Sequence, residues 1–178
     1  VFSHDDEWSE MTFCFRKPVF VAAAVCAVAL VPASAVAAPA AVPQCPTSGL
    51  VVWLNTRGNA AAGSSYYTLE FTNLSGHSCT LKGYPGVSAV GLNGAALGSA
   101  ASREPSSTAA VTLANGSAAT VVLRIVVAQN YPASKCHSVT AAGLRVYPPG
   151  QTAAKLVPFP FSACSKAGPE FLTVKAVA

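Results

Sequence analysis

Beyond residue 38 the sequence has no aspartate and no methionine, and its only acids are Glu70, Glu104 and Glu170. General acid–base chemistry on a carboxylate pair is hard to assemble from three glutamates so far apart. A Ser-His-Asp triad lacks its aspartate, which leaves a glutamate as the only substitute. No G-x-S-x-G nucleophile elbow occurs. Without methionine there is no thioether for a copper carrier. No C-x-x-C pair is present, and after residue 45 no helical apolar stripe runs to a convincing length. These absences weigh against an enzyme and against any cofactor.

The remaining acids crowd at the front: Asp5, Asp6, Glu7 and Glu10 make four of the seven in the chain. An acidic start works against export, so residues 1–10 read as an upstream over-call and Met11 as the start. From there the pattern changes. Arg16 and Lys17 close a short charged segment, and Pro18 to Ala38 is an uncharged run rich in Ala and Val. Ala33-Ser34-Ala35 and Ala35-Val36-Ala37 both fit an A-x-A cleavage pattern, so residues 11–38 are expected to be a secretory signal peptide cut near Ala37 or Ala38. The alternative is a retained membrane anchor, since an uncharged run of about 20 residues just spans a bilayer. Its alanine content and Pro32 count against that. Cys26 follows Ala23-Ala24-Val25 with no leucine three places upstream, so lipidation there is not expected.

Once the leader is removed, nine lysines and arginines face three glutamates, a balance of +6 over residues 39–178. Such a charge favours an anionic cell-envelope component, a polymer or a lipid head group, as partner. The charges are scattered singly, however, and an ordinary solvated surface is the preferred reading. Another protein remains an alternative partner. No nucleic acid is expected, and membrane contact is expected only through the signal segment.

Four cysteines remain after the leader: Cys45, Cys79, Cys136 and Cys164. An even number in an exported chain reads as a disulfide framework and places the protein in a secreted or cell-envelope compartment. Three pairings are open, and spacing alone does not choose among them. The two sequential loops, Cys45 with Cys79 and Cys136 with Cys164, are the favoured arrangement.

Residues 39–44 read as a short linker, and residues 45–178 as one domain of short apolar runs punctuated by Gly, Pro, Asn and Ser. Strands are expected at 50–55, 66–72, 87–92, 109–113, 119–128, 143–147, 157–161 and 171–177. Tyr67, Leu69 and Phe71 share one face while Tyr66, Thr68, Glu70 and Thr72 share the other, the period-2 pattern of a half-buried strand. Val121, Leu123, Ile125 and Val127 repeat it. Asn93-Gly94 and Asn115-Gly116 predict type I′ hairpins, and Tyr84-Pro85-Gly86-Val87 predicts a type II turn. Mobile loops are expected at 56–65 and 98–108. The fold class expected is all-β: an antiparallel sandwich, immunoglobulin-like or Greek-key in architecture, held by two disulfides.

Phe71-Thr72-Asn73, followed by Cys79-Thr80-Leu81-Lys82-Gly83-Tyr84-Pro85-Gly86-Val87, resembles the core motif of an actinobacterial family, domain of unknown function 4232. The resemblance continues through Leu113-Ala114-Asn115-Gly116-Ser117-Ala118 to Cys136 and Cys164. At Asn115 the family commonly has proline. The resemblance implies a β-sandwich on an exported protein, and it implies no activity.

Three local features bear on function. His77 and His137 each lie beside a cysteine, and two His with two Cys would suit tetrahedral zinc. Oxidised cysteines supply no thiolate, so structural cysteines with loop histidines are preferred; an envelope hydrolase or metal-binding protein using His77 and His137 is the alternative. Asn73-Leu74-Ser75 and Asn115-Gly116-Ser117 match the glycosylation pattern but read as turn residues. In Pro158-Phe159-Pro160-Phe161 the two rings share one face of an edge strand. Exposed, Phe159 and Phe161 would form a partner contact; turned inward, they would cap the sandwich core, which is the preferred reading. Together these features point to an exported, non-enzymatic binding module for a cell-envelope or extracellular partner.

Overall fold

The computed structural model describes residues 40–178. The expected signal peptide at 11–38, its cleavage point and the over-call at 1–10 lie outside the described residues. Pro39–Ala178 forms a compact unit of its own.

Eleven strands build it. In chain order they are β1 (Leu50–Ala61), β2 (Ser64–Asn73), β3 (Cys79–Leu81), β4 (Gly86–Val90), β5 (Ala96–Leu97), β6 (Ser102–Arg103), β7 (Val111–Leu113), β8 (Ala118–Val126), β9 (Ser138–Tyr147), β10 (Lys155–Cys164) and β11 (Leu172–Val174). One sheet runs β1-β2-β8-β11-β6, a second runs β10-β9-β4-β5, and β3 pairs with β7 in a short third ladder. Every pairing between these strands is antiparallel except β11 with β6, a two-residue parallel match. The fold is the expected all-β sandwich.

Alternation along the strands decides what lies between the sheets. On β8 the inward residues Ala119, Val121, Leu123 and Ile125 are buried, with Thr120 and Val122 exposed between them. Leu69 and Phe71 on β2 join them from the same sheet, as do Leu172 and Val174 on β11. Val87 and Ala89 on β4, Leu144 and Val146 on β9, and Val157 on β10 close the core from the other side.

The two disulfides join Cys45 to Cys79 and Cys136 to Cys164, the sequential arrangement. The first clips the chain before β1 to β3. Pro43 and Gln44, in the stretch read as a linker, are already bonded to the domain: Thr80 N–H donates to the Pro43 carbonyl at 2.8 Å, and Gln44 Nε2 to the Pro149 carbonyl at 3.1 Å.

Several local expectations are corrected. The segment 56–65 is no loose loop, because β1 and β2 continue into a hairpin that turns at Ala62-Gly63. Within 98–108, Ser102 and Arg103 form β6 against β11. Asn93 and Asn115 do not have the positive φ of a type I′ turn. Instead Ser117 N–H donates to the Ala114 carbonyl across Asn115-Gly116, with Gly116 alone at φ 86°, a type II turn. Gly86 likewise opens β4 rather than closing a turn; the positive φ in that motif belongs to Gly83.

Candidate functional site

β10 is an edge strand of the second sheet, as Pro158 and Pro160 require, since neither has an N–H to offer a further neighbour. A bulge interrupts its pairing with β9: Pro158 faces Gly143 and Phe161 faces Ala141, so two residues of β10 stand against one of β9. Gly143 makes this close approach possible. A Cβ there would run into the Val157 carbonyl oxygen and sit 3.1 Å from Pro158 Cα. The bulge leaves the inward alternation of Val157, Phe159, Phe161 and Ala163 intact.

Phe159 and Phe161 are both half-buried and pack on the core. Their rings stack with centroids 5.7 Å apart, and the Tyr67 ring meets Phe159 edge-on at 5.0 Å. Tyr67 is in turn placed by β1. Its strand pairing slips between Asn55 and Asn59, and Gly58 lies so close to the Tyr67 ring that a Cβ would come within 2.8 Å of it. The three rings wall a groove of about 190 Å³ where β10 passes the ends of β2 and β8. Ser65, Gln129 and Ser162 supply its polar groups, Val127 stands at its rim, and no charged side chain lines it. The sequence exposed the Phe159–Phe161 pair through its spacing. It did not reveal Tyr67 as their neighbour, because that contact joins residues some ninety positions apart through the packing of two sheets.

The other singled-out residues are not brought into one site. His77 lies in the β2–β3 loop, where its carbonyl accepts from Asn73 Nδ2 at 2.8 Å. His137 caps the short helix α1 (Ala133–Cys136) in the left-handed region at φ 48°. Its Nδ1 lies 2.9 Å from Ser165 Oγ, and its carbonyl accepts from Ser165 N–H at 3.1 Å. Among the described residues no carboxylate hydrogen-bonds to the His137 ring. All four cysteines are disulfide sulfurs, and among the described residues no three His, Cys, Asp or Glu side chains gather. Glu104 is engaged with Lys175 at 3.2 Å, and Glu70 with Asn55 at 3.4 Å.

The glycosylation-like Asn73 is fully buried. Asn115 uses its side-chain oxygen to accept from Gly76 N–H at 2.9 Å. Both are therefore loop-fixing residues.

Among the described residues no helix is long and apolar enough to cross a membrane. The disulfides fit an oxidising compartment. A family model described as Domain of unknown function (DUF4232) matches residues 45–178. No curated protein and no solved structure matches the chain.

Proposed function

Since the chain belongs to the domain of unknown function 4232 family, we propose that it is an exported, non-enzymatic binding module whose contact is the aromatic groove beside β10. The observation that carries this reading is the union of three rings, Tyr67, Phe159 and Phe161, with three neutral polar side chains in one concave site. Such a lining suits ring faces and apolar edges, with a few hydrogen bonds to fix orientation. At about 190 Å³ the groove is smaller than the 300 Å³ or more typical of a whole small ligand. It accommodates one unit of a longer cell-envelope or extracellular partner, such as a single sugar ring or one side chain. Because the groove is uncharged, attraction to an anionic partner rests on the cations spread over the rest of the surface.

Ser162 allows a direct test, since it is exposed and lines the groove without joining the core. Pro39–Ala178 would be sedimented with insoluble cell-wall material at low and at high ionic strength. Retention at low salt that weakens with salt and disappears in Ser162→Trp supports the reading. Equal retention of the wild type and Ser162→Trp, or none at low salt, overturns it.

A further inference from the structure

A second apolar feature lies on the opposite side of the second sheet. Val87 and Ala89 point into the core, so alternation sends Val90 outward, yet Val90 is only 5% exposed and stands outside the core cluster. Its cover is an outer apolar layer. Val90 pairs with Gly143, which pairs with Pro158, and Leu92 and Leu156 rise on either side of a concavity of about 260 Å³. These two leucines are the most exposed large apolar residues among the described residues, Leu92 at 98% and Leu156 at 65%. Leu92 occupies the tip of the β4–β5 turn.

Charge on this side is of one sign. β4, β5, β9, β10 and the turns joining β4 to β5 and β9 to β10 contain no acidic residue. They contain Arg145 and Lys155. Arg145 is paired between Ser88 and Leu156 on the outer face, and its guanidinium donates to the Gly94 carbonyl at 2.6 Å. That bond ties the cation to the same turn that carries Leu92.

We propose that this face docks on an anionic lipid bilayer, with Leu92 and Leu156 entering the boundary of the acyl chains and Arg145 meeting the lipid phosphates. A leucine standing free on a convex tip needs a deformable apolar phase more than a shaped pocket. A neighbouring cation with no acid on the same sheet matches a negative surface. The sequence confined membrane contact to the leader; this face extends it to the folded domain. The site is separate from the aromatic groove and does not rest on the function proposed for it.

The test is flotation of oxidised Pro39–Ala178 with vesicles of phosphatidylcholine alone or mixed with phosphatidylglycerol. Binding is expected with the anionic vesicles, falling by roughly tenfold or more in Leu92→Ser/Leu156→Ser because two apolar side chains lose their burial. Arg145→Gln is expected to weaken binding to the anionic vesicles and to reduce its dependence on salt. Thermal unfolding of each variant checks folding, which two exposed leucines should leave unchanged. Absence of flotation at low ionic strength overturns the proposal, as does equal binding by the double leucine variant. Loss of self-association in that variant without any lipid binding would assign the face to a second copy, and would overturn it too.

Discussion

The side-chain nitrogen of Asn73 lies 3.0 Å from the carbonyl oxygen of Leu113, forty residues further along the chain. It also donates to the His77 carbonyl at 2.8 Å, while its oxygen accepts from Ser75 N–H at 3.0 Å and Ser75 Oγ at 2.7 Å. The residue is completely buried. One amide thus joins the end of β2, the loop after it and β7, with every polar atom satisfied. This accounts for the asparagine in the Phe71-Thr72-Asn73 motif.

Replacing it should therefore be costly. Asn73→Ala takes a buried donor from the Leu113 carbonyl, leaves the His77 carbonyl with Ser75 Oγ alone and removes the acceptor of the Ser75 N–H, and a loss of about 2 kcal/mol is expected. Urea unfolding with an unchanged slope would read that loss as a shift in midpoint. A shift under about 0.5 kcal/mol would show that water replaces the amide without penalty.

The disulfides make a second prediction. With separations of 34 and 28 residues, each closes a loop whose entropy contributes roughly 3.5–4 kcal/mol in the chain-entropy account. Cys136→Ser/Cys164→Ser should accordingly lower stability by a few kcal/mol. It should also free the segment in which His137 is held at positive φ by Ser165. Hydrogen exchange at Ser165 and Lys166, whose N–H groups donate to His137 and Cys136, should rise before exchange in β8 does. Uniform acceleration over the whole domain would contradict this local role.

The aspects of the fold readable in sequence were those written in nearest-neighbour chemistry. Alternation at Tyr67–Phe71 and Val121–Ile125 marks strands because a side chain must face core or water at every second position. β3, β5 and β6 escaped because two- or three-residue strands carry no period; Ser102 and Arg103 are held by β11, not by their own composition. The hairpin at Ala62-Gly63 escaped for a different reason. Its alanines and glycines look like a loop, and the pairing is imposed by the register of Trp53 with Glu70 and Leu54 with Leu69. The groove was half legible: Phe159 and Phe161 announce themselves, whereas Tyr67 and Gln129 join them only through three-dimensional closure. The Leu92 and Leu156 face depends on pairing across β4, β9 and β10, which no local pattern encodes.

Gly143 offers a prediction linking backbone to groove. Gly143→Ala places a methyl group against the Val157 carbonyl and Pro158, so β10 must move away from β9. Strain of about 1–3 kcal/mol is expected, together with displacement of Phe159 from its edge-on contact with Tyr67. The check is a lowered midpoint accompanied by a changed near-ultraviolet dichroism from the aromatic rings. A destabilised variant with an unchanged aromatic signal would separate the bulge from the groove.

The prolines of β10 yield the last prediction. A long edge strand with free N–H and C=O groups is a template for pairing with another chain. The second sheet ends on β10, ten residues long, and Pro158 and Pro160 remove two of its donors beside the bulge. Both prolines point away from the core and are exposed, so Pro158→Thr/Pro160→Thr restores the donors with little loss of packing. The variant should keep its fold and gain self-association with rising concentration, measured by light scattering on a sizing column. β-branched threonine also favours extended backbone, which strengthens the expected pairing. If the double variant elutes with the same mass as the wild type at every concentration, the bulge alone protects this edge, and the prolines serve only to hold Phe159 and Phe161 in place.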